Sequence, residues 1–106
     1  MAIYIKRGDR LPVASATLKD ATGAPVNISG MTVKFLMKAD DGTLKVNAAA
    51  TIVDGPGGKV EYAWLAVDTD TVGHYRGEFE VTDAASKKMT FPNFEYIDVW
   101  VVEDLG

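Results

Sequence analysis

The chain has 106 residues, 47% of them hydrophobic, which sets it apart from disordered sequences and suits one folded domain spanning 1–106. Fifteen Asp and Glu against eleven Lys and Arg give a formal charge of −4, against the basic face that duplex nucleic acid requires. There are no cysteines, so neither a disulfide framework nor a cysteine nucleophile or thiolate metal site is available.

Taken in order, the residues read as strands and turns. Ile3 and Ile5 alternate with Tyr4 and Lys6 in a short first strand, broken by Gly8-Asp9 and Pro12. Val13 to Lys19 predicts a second strand, closed by the turn residues Asp20-Ala21-Thr22-Gly23. Val26 and Ile28, in the connection before Gly30, are expected to plug the edge of the core. Met31, Val33, Phe35 and Met37 alternate with Thr32, Lys34 and Lys38, an amphipathic strand that leaves Leu36 as the odd apolar residue on the polar side. Asp40-Asp41-Gly42 then predicts a tight hairpin turn.

Leu44 to Val53 reads as a strand or bulged edge despite the alanines at 48–50, and Gly55-Pro56-Gly57-Gly58 is a turn. Val60, Tyr62 and Trp64 share one face of the next strand. The stretch from Asp68 to Thr82 is the most telling. After a polar corner, Tyr75, Gly77, Phe79 and Val81 fall on one side, with His74, Arg76, Glu78 and Glu80 on the other. A tyrosine opening such a strand matches the tyrosine corner of immunoglobulin-like sandwiches, whose ring packs in the core while its hydroxyl ties down the preceding loop. Asp70 and Tyr75 are the expected corner residues, with Asp68 and Asp70 capping backbone amides. Met89 to Val102 predicts a long last strand bent near Pro92-Asn93. The expectation is an all-β, seven-stranded antiparallel immunoglobulin-like sandwich without a disulfide. Tyr75, Phe79, Phe35, Val33, Tyr62 and Val99 are expected in its core.

Together these segments resemble a known family. The runs "IKRGDRLPVASATLKDATGAPVNISGMTVKFLMK", "VEYAWLAVDTDTVGHYRGEFEVT" and "FPNFEYIDVWV" look like the immunoglobulin-like N-terminal domain of the bacteriophage baseplate upper protein family, and like stand-alone versions among phage and prophage structural genes. The resemblance implies a virion context. In the family this domain is joined to parts that carry receptor-binding proteins. A chain reduced to the sandwich leaves baseplate, tail, head–tail junction and capsid surface all open.

Other motifs read structurally. Arg7-Gly8-Asp9 spells an integrin-recognition tripeptide, but it falls where the first strand must turn. Asn27-Ile28-Ser29 is a formal glycosylation sequon without a signal peptide to deliver it, and reads as a polar turn. Asp68/Asp70 and Asp40/Asp41 lack the graded ligand spacing of a calcium loop. The one histidine, His74, is expected to stand alone on the solvent face of its strand beside Arg76 and Glu78, without the orienting partner, nucleophile or cleft that a general base needs. The glycines at 55–58 are not followed by the Lys-Ser/Thr of a phosphate loop. Carboxylate pairs for glycosidic chemistry stay open, since any two can meet in space. The reading is therefore non-catalytic, with no catalytic or metal residues and no cofactor.

The last strand carries the candidate site. With Ile97, Val99 and Val101 inward, Tyr96, Trp100 and Val102 face out, and the strand order of such a sandwich brings Leu36 onto the same outer surface. The opposite register would put Trp100 in the core. Leu36, Tyr96, Trp100 and Val102 are the candidate interface. Three function classes follow: a phage or prophage structural protein that contacts other virion proteins or copies of itself, a carbohydrate- or host-surface-binding module, and a small enzyme or inhibitor. The first is preferred, with no nucleic-acid or membrane partner, synthesis in the bacterial cytoplasm and no signal peptide.

Overall fold

In the computed structural model, which describes residues 2–91, 97–103 and 105, the chain is all-β apart from one 3₁₀ turn, Ala66–Thr69. Nine strands appear among the described residues: β1 (Ala2–Lys6), β2 (Ala14–Thr17), β3 (Thr32–Ala39), β4 (Leu44–Ala49), β5 (Thr51–Asp54), β6 (Lys59–Tyr62), β7 (Gly73–Thr82), β8 (Lys88–Phe91) and β9 (Ile97–Val102). None of the described helices is long and apolar enough to cross a membrane.

The strands form two sheets. The larger runs β1-β9-β7-β3-β4, with β8 also paired to β7, and the smaller runs β2-β6-β5. Pairing is antiparallel except between β1 and β9, which run parallel. The increase from seven expected strands to nine has two causes. The segment Leu44 to Val53 divides at Ala50, whose amide donates to the Val33 carbonyl at 2.9 Å; β4 stays with β3 while β5 joins β6 in the other sheet. The expected last strand is two, with β8 pairing along Phe79–Thr82 of β7 and β9 along Gly73–Gly77. The bend expected at Pro92-Asn93 lies outside the described residues.

The inner faces meet in one core. Val33, Phe35, Met37, Tyr75, Phe79, Val81, Ile97, Val99 and Val101 from the large sheet pack against Ala14, Val60 and Tyr62 of the small one and Trp64 just beyond it. All six residues expected in the core are buried. Phe35 is central: it stacks on Tyr62 with ring centroids 5.0 Å apart, tilts against Phe79 at 5.0 Å and meets Trp64 edge-on at 5.6 Å. Aromatic pairs in such offset and edge-to-face arrangements add about 0.5–1.5 kcal/mol each beyond their buried area. Ile28 closes the edge of this core, fully buried.

Turn chemistry sets the strand ends. Gly42 adopts φ +89° and donates to the Ala39 carbonyl at 2.9 Å, closing the β3–β4 hairpin that Asp-Gly encodes. Gly58 adopts φ +66°, and a Cβ there would stand 2.7 Å from the Val26 carbonyl and 2.8 Å from that of Leu18. Only glycine fits that backbone crossing.

Candidate contact surface

The outer face of the large sheet is built by alternation. Because Ile97, Val99 and Val101 are buried, Asp98, Trp100 and Val102 of β9 point outward; His74, Arg76, Glu78 and Glu80 of β7 and Lys34, Leu36 and Lys38 of β3 do the same. Trp100 is 40% exposed and so lies outside the core. Beside it the parallel β1 places Tyr4 directly across the ladder, 66% exposed. On the other side His74 is the ladder partner of Trp100, with ring centroids 4.3 Å apart. The result is a transverse row, Tyr4–Trp100–His74, on three neighbouring strands.

His74 is held at both ring nitrogens. Nδ1 lies 2.9 and 3.1 Å from the two carboxylate oxygens of Asp40, in the β3–β4 turn, and Nε2 lies 2.9 Å from Oδ1 of Asp98 on β9. These partners, Asp98 first and then Asp40, raise the His74 pKa above 6.5 against an opposing effect of burial. Arg76 Nε stands 3.7 Å from the same Asp40 carboxylate. The expectation of a histidine without an orienting partner is therefore corrected: His74 has two, brought from 34 and 24 residues away by the β3–β4 turn and β9.

Leu36 shares this face but does not touch Trp100. Its ladder partner on β7 is Glu78, whereas that of Trp100 is His74. Four residues of strand separate those two positions by about 13 Å. Leu36 instead lines a groove of about 260 Å³ with Lys38, Asp40, Gly42, Arg76 and Glu78. Val102 is half-buried beside Lys6 on β1, and Tyr96 lies outside the described residues. Of the four residues expected to form one patch, then, Trp100 and Val102 lie on β9 and Leu36 lies on the far side of β7. Tyr4 is the residue that sequence reasoning missed. Its outward direction was legible from Ile3 and Ile5, but its position opposite Trp100 depends on the parallel β1–β9 register.

The corner residues are arranged as follows. The Tyr75 hydroxyl donates to the Thr71 carbonyl at 2.7 Å with its ring buried. Asp68 is buried and accepts from the Leu65 amide at 2.9 Å and from the Tyr62 hydroxyl. Asp70 is held mainly by side chains. Its Oδ1 accepts from Lys45 Nζ at 2.6 Å and from Thr71 Oγ1 at 2.9 Å, which holds its carboxyl below the usual range, Lys45 first. The reason is position: Asp68 sits within the 3₁₀ turn and faces inward, while Asp70 follows it and faces solvent.

The remaining motifs sit in turns. Gly8 has φ +81°, the Asp9 amide donates to the Lys6 carbonyl at 3.0 Å, and the Gly8 amide and Asp9 carbonyl are bound to Thr69. Asn27 Oδ1 accepts from the Ser29 amide at 3.0 Å, a local Asx turn. No group of three or more His, Asp or Glu side chains among the described residues is placed to hold a metal ion.

This two-sheet arrangement is shared with a solved structure, the N-terminal domain of phage TP901-1 ORF48. The likeness covers 98% of this chain and 86% of that one, with a TM-score of 0.65 at 15% sequence identity. A search of curated proteins finds no match. Residues 2–100 match the BppU N-terminal domain family, and with nearly the whole sequence covered, the chain belongs to that family, the N-terminal domain of phage baseplate upper proteins.

Proposed function

We propose that the protein is a non-catalytic assembly domain of a phage or prophage particle, and that it works through protein–protein contacts made by the outer face of its large sheet. Membership of a baseplate structural family supports the virion role. The single observation that favours this face is the aromatic pair Tyr4 and Trp100, exposed side by side on neighbouring strands. Exposed apolar patches of this kind mark contact sites, and tyrosine and tryptophan are enriched at the buried centres of interfaces. Val102 extends the patch along β9, and Leu36 contributes a second apolar point beyond β7, with Tyr96 kept from the sequence reading. The partners are other virion proteins, copies of this chain, or both, with neither nucleic acid nor membrane among them.

Residues 1–106 serve in this reading as one immunoglobulin-like unit. The parallel β1 beside β9, the order β9-β7-β3 and the Tyr75–Thr71 hydrogen bond all support that assignment. No metal or cofactor is required, so melting in EDTA and in calcium should coincide.

The test is Trp100→Ala in the phage genome, with the amount of this protein in purified particles measured by mass spectrometry and the folding of the isolated variant checked by circular dichroism. Loss from particles with an intact fold is the expected result. Normal incorporation would move the contact surface elsewhere.

A further inference from the structure

His74 is the chain's one histidine, and its surroundings constrain its charge by geometry. Carboxylates only accept hydrogen bonds, and a neutral imidazole has one N–H and one lone pair. With Asp40 at Nδ1 and Asp98 at Nε2, both at 2.9 Å, only the imidazolium donates on both sides. The two carboxylates flank β7. Asp40 belongs to the turn joining β3 to β4, and Asp98 to β9, so a charged His74 ties the strands on either side of β7 together. The same ring packs on Trp100 at 4.3 Å.

The other groups facing this cluster come from each neighbouring element. Arg76 on β7 pairs with Asp40 at 3.7 Å and has Asp98 and Lys38 as ladder neighbours, and Tyr4 on β1 stands beyond Trp100. Arg76 and Lys38 balance Asp40 and Asp98, so a charged His74 adds one positive charge to the cluster. With His74 neutral, one ring nitrogen turns a lone pair toward a carboxylate and that charge is lost.

We propose that His74 is a proton-operated clasp on the contact face: charged, it bridges Asp40 and Asp98 and seats Trp100 for binding, and neutral, it releases one carboxylate and weakens the contact. This inference rests on the outer face being the contact surface. The folded-state pKa lies above the ordinary 6.5, so the clasp is closed at pH below that raised value and opens as pH rises through it.

The first experiment uses the monomeric protein and is independent of any partner. The His74 ring is followed by NMR across a titration, with Trp100 indole signals and tryptophan fluorescence recorded alongside. The expected result is a single inflection above 6.5, with Trp100 signals moving in the same titration and fluorescence rising as the quenching imidazolium is lost. Asp98→Asn should lower the inflection, and Trp100→Phe should remove the fluorescence step, leaving the buried Trp64. An inflection at or below 6.5, or Trp100 signals indifferent to it, overturns the clasp.

The second experiment compares association, by light scattering or particle incorporation, at acidic and alkaline pH in wild type and in His74→Gln. Wild type should associate several-fold more weakly at alkaline pH, and the Gln variant should show no such change. An equal pH response in both overturns the switch. If instead Trp100→Ala associates normally while the monomer titration behaves as expected, the contact-face assignment has failed and the switch with it, although the clasp geometry stands.

Discussion

The Phe35 ring occupies the space that a side chain at Gly77 would take: a Cβ on Gly77 would stand 3.0 Å from Cζ and 3.1 Å from Cε1 of that ring. Glycine inside a strand weakens it by leaving nothing to pack. Here it lets Phe35 lie flat between β7 and Tyr62, where four aromatic rings meet. Gly77→Ala should therefore overpack the core and cost about 1–3 kcal/mol. A lower urea midpoint at unchanged slope is the signature; an unchanged midpoint would mean that the ring has room to move.

Tyr75 offers a smaller and cleaner perturbation. Its hydroxyl reaches the Thr71 carbonyl at 2.7 Å and so fixes the loop entering β7. Tyr75→Phe keeps the ring in the core and removes only that bond, at a cost of about 1 kcal/mol. For a domain of this size that is roughly 4–8 °C in melting temperature. A variant that melts with the wild type would show that the corner is held by ring packing alone.

These two residues also mark what the sequence made legible. Strict alternation on β3 and β7 identified Phe35 and Phe79 as core, because a half-buried strand admits only one such register. On β9 both registers stayed open, since each face carries bulky apolar residues; the pairing to β7 turns Val99 inward and Trp100 outward. The division at Ala50 was not legible. Ala48, Ala49 and Ala50 give no size or polarity contrast, so the crossing between sheets is set by tertiary pairing to Val33. The clasp was hidden for a related reason: Asp40 and Asp98 reach His74 only through the β3–β7 and β7–β9 ladders. Asp68 and Asp70 read alike in the sequence although one faces inward and the other solvent, since the 3₁₀ turn that separates their directions has no strong local signal.

The Asp68–Tyr62 pair predicts an alkaline limit to stability. Burial, and then the neighbouring Asp68, push the Tyr62 phenol well above its ordinary 10.0. The phenol stays protonated in the fold while the unfolded chain ionises from about pH 10 upward. This contribution is therefore complete below pH 10 and is lost as pH rises through the raised folded-state value. Tyr62→Phe should be less stable than wild type at neutral pH, by about 1–3 kcal/mol, because Asp68 loses a buried donor. The gap should narrow above pH 10, as read by urea unfolding at neutral and alkaline pH. A gap that stays constant through that range would mean that Tyr62 ionises freely in the folded protein.

The exposed aromatics allow the contact face to be tested against the rest of the surface. Tyr4 and Trp100 stand side by side on the large sheet, while Val53 is 57% exposed on the opposite, small sheet. If exposure alone drove association, Val53→Ala would weaken it as well. If the large-sheet face is the interface, Trp100→Ala should weaken association by about 2 kcal/mol or more, the scale of a central aromatic anchor. Tyr4→Ala should weaken it too, and the pair should be less than additive because the two side chains share one row. Val53→Ala should leave association unchanged. All three variants should unfold close to the wild type, since none removes a core residue. Light scattering on the purified domain and counts of the protein in particles give the two readouts. Equal weakening by Val53→Ala would place the interface on no particular face, and full additivity of Tyr4 and Trp100 would mean that they meet different partners.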